Sequence, residues 1–243
     1  WTEYSIGFQM SSQARSLVFG FLLSGPGKAW VDTLQLLADG KPVAQAPSRA
    51  PTILDTDTEF SSGSGIAIES LTGLQIDNLA TLAKVWGFVK YHHPVITTGK
   101  RHWDFDLFRV MPAVLAADSK AAANGVMNQW IAGLGAVPEC TDCASLSNDN
   151  LSLAPDIAWI RDANALGEEL SATLENVHRN RTKTPQFFVD LPTQVGNPSF
   201  ERELNYATLR TSDSGYQLLG LFRMWNMMQY FNPNRDIMSE PGE

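Results

Sequence analysis

The chain has 243 residues, of which 44% are hydrophobic and 18% charged, and 18 basic against 26 acidic side chains leave a formal net charge of −8. This length and composition describe a folded chain of one large or two small domains and exclude a disordered one. The acidic balance argues against a nucleic-acid binder, which needs a clustered basic surface to release counterions. No run approaches the roughly 18 apolar residues of a membrane-spanning helix.

Residues 1–47 read as β structure. "SLVFGFLL" and "AWVDTLQLLADGKPV" are rich in aliphatic and aromatic side chains, Ser24-Gly25-Pro26-Gly27 separates them, and Asp39-Gly40 is a hairpin dipeptide. Three or four strands fit, which is an incomplete sandwich, since so small a sheet buries too little surface by itself. Residues 48–73 read as a linker, with Pro51, "SSGSG" and Gly73, crossed by one short strand candidate at 65–69. The chain opens on Trp1 and closes on "SEPGE", so both ends read as cut.

From about residue 75 the apolar period becomes helical. Leu79, Leu82, Trp86 and Val89 share one stripe, and Pro94 ends it. Further helices are expected at 104–117 with Asp104 as cap, at 119–134 from Ser119, at 162–180 from Asp162, and at 213–231 from Ser212 or Asp213. "QFFVDL", 186–191, is a short strand candidate. The fold class is therefore α+β: a partial β-sandwich followed by a mainly helical domain over 74–243.

Two lines of this domain are nearly the same. "KVWGFVKYHHP" and "RMWNMMQYFNP" align at an offset of 139, and residues 79–94 pair with 218–233. Leu79, Leu82, Trp86, Tyr91 and Pro94 meet Leu218, Leu221, Trp225, Tyr230 and Pro233, while Lys84 meets Arg223 and His93 meets Asn232. The plain reading is two duplicated amphipathic helices whose Leu/Leu/Trp stripes pack inward. The sharper reading makes Tyr91, His93, Tyr230 and Asn232, at the two helix exits, contacts for a ligand or substrate.

Signals for chemistry are sparse. His92-His93 point about 100° apart on a helix, and neither His102 nor His178 completes a metal-ligand spacing. Cys140-Thr-Asp-Cys143 fits a loop disulfide of an oxidising compartment, a pair of free thiols, or half of a metal or redox site. There is no G-x-S-x-G elbow, no S-x-x-K and no phosphate loop. Trp30 beside Asp32 could stack a sugar on a sandwich edge, though a tryptophan within a strand is more often core. No catalytic, cofactor or metal residue is assigned.

"LATLAKVWGFVKYHHP", "WDFDLFRVMPAVLAA", "NPSFERELNY" and "SGYQLLGLFRMWNMMQYFNPNRDIM" together resemble the amino-terminal region of serine peptidase family 41, the C-terminal-processing or tricorn-like peptidases. The pattern at Gly25, Gly27, Trp30, Asp32 and Leu36 is similar to the last strands of a jelly-roll module that can precede that region. The resemblance implies a secreted, periplasmic or cell-envelope bacterial protein whose Ser/Lys catalytic domain handles polypeptide substrates. Nothing in these 243 residues matches that domain. The chain would then scaffold or position substrate. Its rivals are a glycan-binding module using Trp30 or Trp1, and an assembly module using the apolar helix face around Trp225, Met227 and Met228.

Overall fold

In the computed structural model the described residues are 1–9, 17–46, 50–140, 153–181, 186–191, 197–200, 202–206 and 212–235. The chain divides into two compact units, Trp1–Ala50 and Pro51–Glu243.

The first unit corrects the expected sandwich. Among the described residues its sheet is two strands, β1 (Leu37–Ala38) and β2 (Lys41–Pro42), antiparallel with Leu37 opposite Pro42. Asp39 and Gly40 both take positive φ, 50° and 76°, the backbone that a two-residue hairpin loop needs. The turn dipeptide was readable, but no jelly-roll surrounds it. Residues 17–23 and 30–36 carry no strand, and Leu22 and Trp30 stand 93% and 72% exposed. Strand preference expresses packing on a half-buried pleated surface. Two strands of two residues do not supply one.

The second unit is helical. The stretch 51–72 packs onto it rather than running free, and its short helix α1 (Ile53–Thr56) opens on a Thr52/Asp55 capping box. Phe60 makes edge contacts with Phe105 and Phe108, and the Ser64 amide donates to Asp213 Oδ2 at 2.8 Å. Residues 65–69 form no strand, and of the strand expected at 186–191 one bridge remains, Asp190 to Ser199.

The central helix is α2 (Gly73–His92), started by a capping box in which the Gln75 amide donates to Thr72 Oγ1 and the Thr72 amide donates to Gln75 Oε1. It was expected to be amphipathic. Instead every residue from Val85 to Tyr91 is buried, because other helices surround it. After the short α3 (Pro94–Thr97) come α4 (Trp103–Ala116), α5 (Lys120–Ala132), α6 (Ala163–Arg179) and α7 (Ser214–Phe231). Ser119, Asp162 and Asp213 cap α5, α6 and α7 as their spacing suggests. The cap of α4 is His102, not Asp104, and this releases Asp104 for another role.

Helices α2 and α7 are the two repeat copies, and they pack on each other through equivalent positions. A Cβ at Gly87 would lie 1.8 Å from Asn226 Oδ1, so the glycine is what lets the two backbones approach. The Asn226 amide donates to the carbonyls of Ala83 and Phe222 at 3.0 and 2.9 Å. One turn on, Tyr91 and Tyr230 meet edge-on with ring centroids 5.2 Å apart. Equivalent residues touching in successive turns mean that the copies run side by side in the same direction. The side of α7 that packs inward is Gly215, Leu219, Phe222 and Asn226. The expected Leu218/Leu221/Trp225 stripe is not that side, and Leu221 is 53% exposed.

Candidate functional site

The four helix-exit residues fall into two roles. Tyr91 and Tyr230 form an aromatic cluster with Phe231, whose ring lies 5.1 Å from that of Tyr91. Burial pushes both phenols above their ordinary value, so both stay neutral. His93 and Asn232 are caps. His93 Nδ1 accepts from the Val95 amide at 3.3 Å, and Asn232 Oδ1 accepts from the Asn234 amide at 2.9 Å. The same position in each copy thus turns the chain into its proline by the same hydrogen bond two residues on. This is the physical content of the His/Asn match in the repeat.

With Nδ1 accepting, the His93 proton resides on Nε2, which is buried with no hydrogen-bond partner among the described residues. Burial pushes this imidazole down to about 4. His93 also borders a cleft of about 410 Å³ that Ile131, Val137, Thr173 and Asn176 help to line. His92 faces the other way: its Nδ1 donates to the Phe88 carbonyl at 2.7 Å, and burial lowers it to about 4 as well. The two histidines therefore do not share a ligand direction.

Trp30 makes no ring contact among the described residues, and Asp32 Oδ1 accepts from the adjacent Thr33 amide at 2.7 Å. Cys140 is disulfide-bonded, and its amide donates to Asn180 Oδ1 at 3.1 Å. Cys143 lies outside the described residues.

The densest chemistry lies elsewhere. Lys90, in the last turn of α2 with none of its side chain exposed, pairs with Glu203 and has Nζ 4.0 Å from Asp104 Oδ1. The rings of Trp86 and Phe188 flank the ammonium with centroids at 4.6 and 4.7 Å. Arg223 of α7 pairs with Asp104, places Nε 3.0 Å from Glu203 Oε2, and donates from Nη1 to the Leu204 carbonyl at 2.6 Å. The Tyr206 hydroxyl completes the group by donating to Asp104 Oδ2 at 2.7 Å. Two cations thus face two carboxylates, one charge each from α2, α4, α7 and the 202–206 segment.

Burial by itself would raise the Asp104 carboxyl, but Arg223, Lys90 and the Tyr206 hydroxyl hold it below its ordinary value. Lys90 is displaced the other way: burial lowers it, and Glu203 and Asp104 offset only part of that. Proton chemistry needs a substrate within hydrogen-bond reach of these atoms. The side chains of Lys90, Asp104 and Glu203 are 0%, 3% and 8% exposed and that of Arg223 14%. The two carboxylates and the ammonium are therefore shut off from solvent, and only the guanidinium keeps a small exposed edge. What it does is cross-brace three helices and a loop.

The sequence carried one signal of this cluster that pattern reading passed over. Lys90 lies four residues after Trp86 and eleven after Leu79, on the apolar stripe itself. A lysine on a core face requires a buried partner. Among the described residues no group of three His, Cys, Asp or Glu is placed to hold a metal ion. No helix there is long and apolar enough to cross a membrane. A scan of family models and searches of curated proteins and of solved structures found no match to this chain.

Proposed function

We propose that the chain is a non-catalytic scaffolding module of the kind that precedes the Ser/Lys domain in serine peptidase family 41, positioning polypeptide substrate for such a domain. The observation that carries this reading is where the resembling stretches fall. Residues 79–94, 103–117, 197–206 and 214–238 supply Lys90, Asp104, Glu203 with Tyr206, and Arg223, one charge each to a single closed cluster. The stretches that resemble the family are thus the ones that brace the helical unit. A secreted or envelope location is part of the proposal, and the disulfide at Cys140 supports it, since such bonds persist in oxidising compartments.

The test is turnover of a fluorescein-labelled unfolded polypeptide by the purified chain. The proposal expects no hydrolysis above buffer. Hydrolysis that a substitution within residues 1–243 abolishes, in a variant that still folds, overturns it.

A further inference from the structure

The cleft that His93 borders is polar at a few defined atoms and carries no charge. Its volume of about 410 Å³ falls within the range of small-ligand sites, about 300–1,000 Å³. The end of α5, residues 135–137 after it, and one side of α6 form its walls, and His93 reaches it from the exit of α2. Ile131, Val137 and Val177 make those walls aliphatic, and no Asp, Glu, Lys or Arg lines them among the described residues. The segment that follows α5 is tied to α6. The Cys140 amide donates to Asn180 Oδ1 at 3.1 Å, and Asn180 Nδ2 donates to Asn176 Oδ1 at 2.9 Å.

Hydrogen bonds outside the cleft fix what each polar side chain offers inside it. His93 is 1% exposed, its Nδ1 is taken up by the Val95 amide, and its Nε2–H has no partner among the described residues. Thr173 offers an acceptor. Asn128 directs its amide nitrogen to Glu169 at 3.4 Å, so Asn128 Oδ1 takes the Thr173 hydroxyl proton at 2.7 Å and Thr173 Oγ1 keeps its lone pairs. Asn176 is exposed, and with Oδ1 taken by Asn180 its Nδ2 is left to donate. A buried donor without an acceptor is costly, and a ligand oxygen would supply one.

We infer that this cleft binds an uncharged amide on an aliphatic body, the amide oxygen accepting from His93 Nε2 and the amide N–H donating to Thr173 Oγ1. The aliphatic body lies against Ile131, Val137 and Val177. A carboxylate or an amine would enter without an opposite charge on the walls, and burying an unpaired charge is expensive. Burial pushes His93 to about 4, so near neutral pH it meets the ligand as a neutral donor. The inference goes beyond the scaffolding reading. A free aliphatic amide and an aliphatic residue within a polypeptide present the same groups, and only the second would belong to a scaffold's substrate.

The probes are cyclohexanecarboxamide, its isostere cyclohexanecarboxylate, and the blocked peptide acetyl-Gly-Gly-Leu-Gly-Gly-amide. Each is titrated at pH 7 into the isotope-labelled full chain and followed by NMR of backbone amides and histidine ring nitrogens. The carboxamide should give saturable shifts along α6 and at the His93 ring, and the carboxylate should bind at least tenfold more weakly. His93→Asn keeps the cap without the ring N–H and should weaken carboxamide binding at least tenfold. Ala172→Phe places a ring in the cleft from an exposed position of α6 and should abolish binding, which keeps the test decisive if His93→Asn fails to fold. Circular dichroism checks both variants. Competition between peptide and carboxamide supports the inference and makes a polypeptide the source of the amide. Carboxamide binding that the peptide does not compete with supports it with a free small amide as the source. No saturable shift with either amide overturns the inference, since the cleft then holds solvent alone. So does a carboxylate that binds as tightly as the carboxamide, or carboxamide binding indifferent to Ala172→Phe. Hydrolysis of the peptide during the titration counts against the scaffolding reading instead.

Discussion

Gly87 and Asn226 occupy the same place in the two repeat copies, and they are in contact: a methyl group on Gly87 would sit 1.8 Å from Asn226 Oδ1. The two copies therefore differ where they meet. One has no side chain there, and the other carries an amide that donates to the carbonyls of both helices. The consequence is a close parallel packing of α7 on α2.

Gly87→Ala should destabilise the chain even though alanine favours helix over glycine by about 1 kcal/mol in an exposed position. Overpacking at this contact should outweigh that gain, for a net loss of about 1–3 kcal/mol. Adding Asn226→Ala in the Gly87→Ala background should recover part of the loss. Urea unfolding midpoints of the two single variants and the double check this.

Lys90→Met removes one cation from the closed cluster and leaves Glu203 and Asp104 buried with Arg223 as their remaining cation. Breaking a buried pair from one side costs about 3–5 kcal/mol. Combining Lys90→Met with Glu203→Gln should cost clearly less than the sum of the two singles. A double-mutant cycle in urea measures this coupling, and additive singles would show that the pair contributes nothing.

Acid should weaken the fold in a window set by its histidines. His92 and His93 lie at about 4 in the folded chain against an ordinary value of 6.5. Between those values the unfolded chain binds protons that the folded chain refuses, so stability is complete above about 6.5 and falls as pH drops toward 4. The loss is on the order of 3 kcal/mol for a histidine shifted this far. Asp104, whose carboxyl is depressed, adds stability that disappears only at still lower pH. His93→Asn keeps the cap, since Asn232 already makes it in the second copy, and should flatten the stability change between about pH 7 and pH 5. An unchanged slope would mean that His93 is protonated in the folded chain.

Most of the helical unit could be read from residue order, because its signals are local. Ser119, Asp162 and Asp213 accept amides of the turn that follows them, and Pro94 and Pro233 punctuate both copies. The β reading of residues 1–47 failed for the opposite reason. Strands at 17–23 and 30–36 needed neighbours that only a larger sheet provides, and the hairpin at Asp39-Gly40, which is local, was the part that formed. The charge cluster was hidden because its members are far apart in sequence. Asp104 had the position and type of a helix cap, and nothing local distinguishes a capping aspartate from one turned inward to Arg223. His93 and Asn232 were flagged as a pair through the repeat, but their meaning came from the Val95 and Asn234 amides, which is backbone geometry.

The reading of the chain as scaffold depends most on the cluster around Lys90 being closed to anything outside. Amine labelling of the folded chain with trinitrobenzenesulfonate, followed by peptide mass mapping, addresses that directly. The account predicts that Lys120, whose side chain is 62% exposed, and other exposed lysines are modified while Lys90 remains unmodified until the chain is unfolded. Modification of Lys90 in the folded chain at a rate near that of the exposed lysines would mean that substrates can reach the cluster, and a structural role for it would no longer hold.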